Sequence, residues 1–388
     1  MFDWLQHWII TSAARIGGQF RNADNPGGPS FDTLKRLHPE LRVADTVWTQ
    51  ELHPRLERFE AERAQAIAAA ALGGVIMVGA FFLAPFLARA ILPGGLGILF
   101  VYGALFGSVY LFVFRPMEAA WQASFKAKRL IVPVACALFG LEHETVTEPD
   151  DILDRLKLKF GRTTRHQKQF SDGDLVPEHR RRFPELANAF NQLDRYGLLE
   201  RRSFAEFEDR IHGTRAGATF ESIECRLTHV TQSSKHRNVD VNYAHIIQMN
   251  SPKTFLGTTV LRRGKFLARR PSGTLEPVKL ESTAFDEQFE AFSSDQVEAR
   301  FLLTPDVMDA LTLLSRKYHS ESLAIIFQFN RITLRLDAPN RFESGSLFCP
   351  IDEKDRFTSA AADLAVLMDV IDAVAGREWT NTQRSQIA

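Results

Sequence analysis

The chain has 388 residues, enough for a membrane segment and one or two soluble domains, and Lys+Arg and Asp+Glu both number 47, for a formal charge of zero. A balanced charge excludes a whole-protein pull toward nucleic acid or an acidic partner. Three scattered cysteines, Cys136, Cys225 and Cys349, form no CxxC pair, which argues against a disulfide framework or structural zinc and suits a reducing compartment.

Residues 2 to 16 set Phe2, Leu5, Ile9 and Ile16 near helical spacing, with Trp4 and Trp8 one turn apart. Two readings stay open: a helix packed on the protein's own core, or an interfacial helix with Trp at the headgroup level. No basic region precedes these residues, so a cleaved secretory signal is not expected. Asn22 to Ser30, with its Pro-Gly-Gly-Pro, is a loop by breaker chemistry.

Asp45 to Gln65 resumes a helical pattern through Leu52, Leu56 and Phe59, with Arg55, Arg58 and Arg63 just before the apolar part. Ala66 to Ala88 then carries no charged residue and, at ~1.5 Å per residue, spans roughly 34 Å, enough for a hydrocarbon core of about 30 Å. Pro93 to Phe114 is a second block of similar reach. The pattern predicts a transmembrane hairpin turning at Pro93-Gly94-Gly95, with Pro85 kinking its first arm.

Basic residues flank both outer ends, with Arg115, Lys126, Lys128 and Arg129 after the second block, while the turn has only Arg89 nearby. The positive-inside bias therefore puts both chain ends in the cytoplasm. Small residues let helices approach closely in lipid: Gly103 and Gly107 form a GxxxG, and Gly73 and Gly74 with Ala70 give the first arm a small face. The helix-packing candidates are Gly74, Gly103 and Gly107, against the other arm or a second copy. No Asp, Glu, Lys or His lies at membrane depth, so no proton relay is expected.

Met117 to Leu141 reads as a helix whose apolar end, LIVPVACALFGL, is too short to span. Its basic cluster would favour anionic lipid headgroups. Glu142-His143-Glu144 is expected in a surface turn. Arg155 to Arg182 is densely basic but lacks interleaved aromatics, so it reads as solvated surface, with anionic lipid the second choice and nucleic acid not favoured. Phe183, Leu186, Phe190 and Leu193 mark an amphipathic helix with Pro184 in its first turn.

From Ser203 the period shortens to that of strands: FESIECRLTHV, YAHIIQM and TTVLRRGKFLARR. Val297, Ala299, Phe301 and Leu303 alternate with Glu298 and Arg300, which predicts a further strand. Thr304 can cap a helix with Pro305 at its first position. LAIIFQF and Ile332, Leu334, Leu336 flank a hairpin expected to turn at Asn330-Arg331, and Thr358 or Ser359 opens a last helix ending at Gly376.

The organisation expected is 1–63 helical, 64–115 transmembrane, 116–202 juxtamembrane helix and basic linker, 203–376 cytoplasmic domain, and 377–388 tail. The fold class is α+β: a two-helix transmembrane hairpin followed by a cytoplasmic mixed α/β domain. The order of hairpin, FEDRIHG, FDEQFEAFSSDQVEARFLLTPDVMDAL and LAIIFQFNRITLRL resembles the bacterial membrane proteins of the domain-of-unknown-function 3137 (DUF3137) family, over about Leu52 to Leu336. The resemblance is most specific at Phe285 to Leu311. It implies a bacterial inner-membrane protein with two helices and a cytoplasmic α+β domain, and it supplies no activity. Arg155 to Arg182 and the residues before Leu52 depart from that pattern.

Catalytic signatures are missing: the sequence holds no GxSxG, Walker loop, HExxH or GxGxxG. His229, His236 and His245 with Cys225 are spaced too irregularly for a metal set. No cofactor is expected. Glu208, Asp209 and His212 in FEDRIHG come nearest to an acid/base cluster. On a helix Glu208 would sit one turn from His212; on a strand Glu208, Arg210 and His212 would share a face. Asp295, Glu298 and Arg300 form the other charged group, and the ligand or partner surface is sought at Glu208, His212, Asp295, Glu298 and Arg300. The expected role is a membrane-anchored binding or scaffolding module, integral in the lipid bilayer, with a membrane-protein partner or a second copy. The alternatives are an enzyme on a lipid-linked substrate and an oligomeric channel subunit.

Overall fold

The computed structural model describes residues 30–91, 95–147, 173–232, 237–251, 254–263, 275–305, 307–309, 311–312, 323–337 and 350–374. The readings placed at 2–16, at Pro93-Gly94, on most of the basic stretch, on His236 and Cys349, and on the tail lie outside the described residues. The chain divides into two compact units.

The first unit, described at residues 44–91, 95–131 and 350–357, is mainly helical. After α1 (Phe31–Leu37), which belongs to the other unit, come α2 (Ala44–Val47), a π-helical turn Trp48–Leu52 and α3 (His53–Ile91). Then follow α4 (Gly95–Val109), a second π-helical turn Tyr110–Phe114 and α5 (Arg115–Leu138), whose C-terminal part lies in the second unit.

Helix α3 changes character along its length. The π-turn before it and its own first turn bury Leu52 and Leu56, and Trp48 stacks on Phe357 at 6.1 Å. Glu60 accepts hydrogen bonds from Arg63 Nε at 2.8 Å and from the Ile351 amide at 2.9 Å. Burial, reinforced by the Glu60 charge, pushes the neighbouring Asp352 carboxyl above its usual range.

Beyond Ala70 the large apolar side chains face outward: Val75 is 64% exposed, and Phe82 and Phe86 are each 71% exposed. A surface like that is stable only against something other than water. Among the described residues, one helix is long and apolar enough to cross a membrane. Where it meets its neighbours, the Phe81 and Tyr102 rings touch at 5.6 Å, and a Cβ added at Gly73 would lie 2.2 Å from the Phe112 carbonyl oxygen. Only glycine allows that approach. Among the described residues, no neighbouring segment comes within 4 Å of a Cβ built at Gly74, Gly103 or Gly107. The intrachain contact thus falls on Gly73, and the small-residue face expected at the other three is open.

The second unit is built on one sheet. In chain order come β1 (Glu142–Thr145), α6 (Pro177–Arg182), α7 (Pro184–Arg195), β2 (Phe204–Arg215), β3 (Ala218–Gln232), β4 (Arg237–Asn250), β5 (Thr258–Arg263) and β6 (Glu276–Val278). They are followed by α8 (Thr283–Asp286), β7 (Phe289–Ser293), α9 (Gln296–Leu302), β8 (Leu323–Gln328), β9 (Arg331–Asp337) and α10 (Lys354–Val374). The nine strands run in the order β1-β2-β3-β4-β9-β8-β5-β7-β6, with antiparallel ladders throughout.

One face packs on α7. Phe183, Leu186, Phe190 and Leu193, at the predicted helical spacing, bury against Phe207, Cys225, Ile246, Val260 and Ile326. Pro184 opens that helix, where its missing N–H costs nothing. The opposite face buries Ile211, Phe220, Ile247, Leu261, Ile325 and Leu334. Helix α10 is tied to the end of β2, where Arg215 donates to Asp372 at 2.7 Å and to Glu40 at 2.9 Å.

Four local expectations are corrected. Residues 297 to 302 are helical, because Asp295 Oδ1 accepts from the Val297 and Glu298 amides at 2.9 and 3.0 Å and so starts a helix. The apparent alternation resolves into Ala299 and Leu303, one turn apart and buried, with Val297 and Phe301 exposed. Glu142-His143-Glu144 is strand β1, not a surface turn, since β2 needs an edge partner and pairs it residue for residue. The hairpin turns at Phe329-Asn330, with Gln328 opposite Arg331 and the positive φ of 56° on Phe329. Helix α10 begins at Lys354, ahead of Thr358. Thr304 does open the next helical turn, its Oγ1 accepting from the Val307 amide at 3.4 Å.

Candidate functional site

A sheet interior normally holds apolar side chains, because a buried charge without partners is costly. On the face opposite α7, strands β1 to β4 depart from that rule. His143, Glu208, Asp209, Ser222, Glu224 and His245 are all buried there, with Glu206 and Arg226 half-buried beside them. This polar belt is where the sheet's chemistry concentrates.

A β-bulge builds its centre. Phe207 pairs with Cys225 and Arg210 with Ile223, so Glu208 and Asp209 together oppose the single residue Glu224. The extra residue reverses the side-chain parity of β2. Arg210 and His212 therefore share the face of Phe207, while Glu208 joins Glu206 on the guanidinium of Arg226, at 3.4 Å from its Nε. Neither expectation for FEDRIHG holds as written: the segment is a strand, yet Glu208 and His212 point to opposite faces.

Around this centre each polar group has a specific partner. His143 Nε2 lies 3.0 Å from Asp209 Oδ1, with both side chains almost wholly buried. The nearby Cys136 thiol is pushed up to about 12 by burial and then by the Asp209 charge, so it stays an unreactive thiol. Ser222 Oγ meets His245 Nε2 at 2.8 Å, and Glu224 stands directly across the ladder from His245. Such a Ser–His pair has the bonding of a nucleophile and its base. Ser222 is 0% exposed, however, so the arrangement here organises the core. Cys225 belongs to the α7 core on the other face, which separates it from His245.

At the rim of the opposite face, Glu144 receives Arg182 Nη2 at 2.5 Å and Arg210 Nη1 at 3.1 Å, and Arg210 Nη2 reaches Glu221 at 2.8 Å. Burial alone would raise the Glu144 carboxyl, but hydrogen bonds from Arg210 and Arg182 hold it below its usual range. His212 sits farther out, 3.6 Å from the exposed Glu142.

His179 on α6 clasps the bulge from outside. Its Nδ1 accepts from the Phe207 amide at 3.0 Å, and its Nε2 lies 3.1 Å from Thr147 Oγ1, whose hydroxyl donates to the Phe207 carbonyl at 2.7 Å. The pattern admits only the neutral tautomer with hydrogen on Nε2. Burial pushes this imidazole below its ordinary value, against the opposing charges of Glu206 and Glu178.

The second charged group lies elsewhere. From β2, six strand spacings of about 4.8 Å lead to β7, a span of roughly 29 Å, so the two motifs do not meet. Asp295 is the N-cap of α9. Glu298 turns back and accepts from the Leu256 and Gly257 amides, each at 2.7 Å. Arg300 donates to Gln296 O, at 3.3 Å, within its own helix. These carboxylates hold backbone. Among the described residues no group of three or more His, Cys, Asp or Glu side chains is placed to hold a metal ion.

Residues 245–375 match the family described as protein of unknown function (DUF3137). The resemblance to that family therefore stands over His245 and the strands and helix beyond it, while Leu52 to Glu224 lies outside the match. No curated protein matches the chain. Among solved structures, the crystal structure of the mycobacterial trehalose monomycolate transport factor A, TtfA, is similar at 10% identity and a TM-score of 0.29, covering 61% of this chain and 93% of that one. A likeness that distant carries no argument about fold or function here.

Proposed function

We propose that this protein is a membrane-anchored binding or scaffolding module whose sheet domain works in the cytoplasm of a bacterium. The observation that carries the reading is α3, which buries its first turns in protein and then presents Val75, Phe82 and Phe86 outward. Helix α4 and the π-turn after it support a second crossing. Contacts Gly73–Phe112 and Phe81–Tyr102 advance along α3 as they retreat along the following segment, the pairing of an antiparallel hairpin. Arginines before Ala66 and basic residues after Phe114 support a cytoplasmic side for both ends of that hairpin.

Tethering keeps the domain at high effective concentration toward other membrane proteins and toward lipid. A binding role also suits the charged residues, which among the described residues serve the fold and assemble no accessible catalytic group. Glu208, His212 and Asp295, on which an enzyme reading would rest, occupy three separate environments.

Affinity purification from mild detergent, with mass spectrometry, tests the role: a specific co-purifying membrane protein is expected, and its repeated absence would count against the reading. Topology is tested through Cys349→Ser combined with Asp240→Cys, an exposed position on β4. An impermeant thiol reagent outside intact spheroplasts should label this protein only after permeabilisation. Labelling of intact cells would overturn the orientation.

A further inference from the structure

At one end of the sheet three chain segments converge and leave large apolar groups in the open. Leu256 is 88% exposed, Phe301 78%, Phe329 66% and Val297 63%. Their neighbourhood is set by backbone contacts: the Phe255 amide donates to the Phe329 carbonyl at 2.5 Å, and the Leu256 amide donates to Glu298 on α9. Val297 and Phe301, four apart on α9, share a helix face. Phe329 is held at the hairpin tip by a positive φ, a conformation unfavourable for a bulky residue.

We propose that this apolar corner rests on the lipid bilayer, as a second, reversible contact of the sheet domain with the membrane; the proposal builds on the anchored reading above. Two features favour lipid over a protein partner. The groups stand on a hairpin tip, a loop and a helix face, where the Phe255 and Phe327 rings meet at 5.6 Å. At the ~150–250 Å² an aromatic side chain presents, the four groups offer on the order of 500 Å² of apolar surface. A tethered domain meets the bilayer at high local concentration, and a small apolar contact then suffices.

Charge at the corner is compatible with a headgroup zone. Among the described residues at the corner, the carboxylates of Asp295 and Glu298 are occupied by backbone amides. Exposed Arg300 and Glu276 balance each other in sign. Contact should therefore depend on apolar insertion and little on lipid charge.

The test uses the full chain in liposomes with Cys349→Ser as background. Cys136 and Cys225 are buried thiols raised by burial, and so inert to labelling. An environment-sensitive fluorophore is placed at Leu256→Cys, at Phe329→Cys and, at the opposite end of β4, at Asp240→Cys. Nitroxide lipids should quench the first two labels to about half or less and leave the third unchanged, equally in neutral and anionic vesicles. Absence of quenching at 256 and 329 in protein that floats with the liposomes and resists carbonate extraction overturns the corner contact alone. Protein that fails to float overturns the anchor instead. Blue-shifted but unquenched labels whose signal rises with protein density would assign the corner to a second copy and likewise overturn the proposal.

Discussion

The polar belt of β1 to β4 and the α9 corner use the same residue types for different ends. In the belt, Glu208 and Asp209 pair with side chains from other strands, Arg226 and His143. At the corner, Glu298 and Asp295 accept from backbone amides in a loop and a helix start. A carboxylate that neutralises another side chain is coupled to a distant strand, and losing its partner strands a buried charge. One that holds backbone ends a segment, and losing it releases two amides to water. The first failure is global and the second local.

Unfolding in denaturant, followed by fluorescence in detergent, can break that distinction. Arg226→Met strands Glu206 and Glu208 together and should cost about 3–5 kcal/mol. Adding Glu206→Gln and Glu208→Leu should restore most of the loss, and a triple variant as weak as the single one would refute the pairing account. Glu298→Ala should cost about 1.5–3 kcal/mol, the value of hydrogen bonds to a charged acceptor, with hydrogen exchange quickened at Leu256 and Gly257 while the belt amides stay protected.

His179 gives the comparison a pH axis. Its imidazole is held neutral, below the unfolded value near 6.5, so below that pH the unfolded chain binds the proton more readily. Its contribution to stability is full above about pH 6.5 and is lost on acidification through the lowered folded value, with a slope of up to ~1.4 kcal/mol per pH unit. His179→Gln should flatten that limb, and an unchanged acid limb would remove the clasp from the account. Asp295→Ala should cost about 1 kcal/mol through the lost cap. Arg300→Ala should stay within about 0.5 kcal/mol, since its hydrogen bond is local and solvated.

Particular residues mark how far the sequence could be read. Phe183, Leu186, Phe190 and Leu193 gave α7 by spacing alone, because an amphipathic helix carries its period on its surface. Val297 to Leu303 misled because four alternating positions fit a strand or two helical turns equally, and the capping Asp295 was the signal passed over. His143 could not be assigned from EHE, since its burial depends on Asp209, 66 residues away. The bulge at Glu208 leaves no mark in FEDRIHG. Only the ladder with β3 reveals that two residues face one.

By itself the sequence determined what is local. It set the charge-free length of Ala66 to Ala88, the helix at Pro184, the strand periods after Ser203 and the resemblance that begins to hold at His245. Tertiary structure decided which glycine is used, which face of β2 each carboxylate takes, and that Asp295 caps a helix. These are outcomes of pairing register and burial, and a one-residue shift in register turns every following side chain over. That is why the helices and strands could be read in order while the belt they assemble could not.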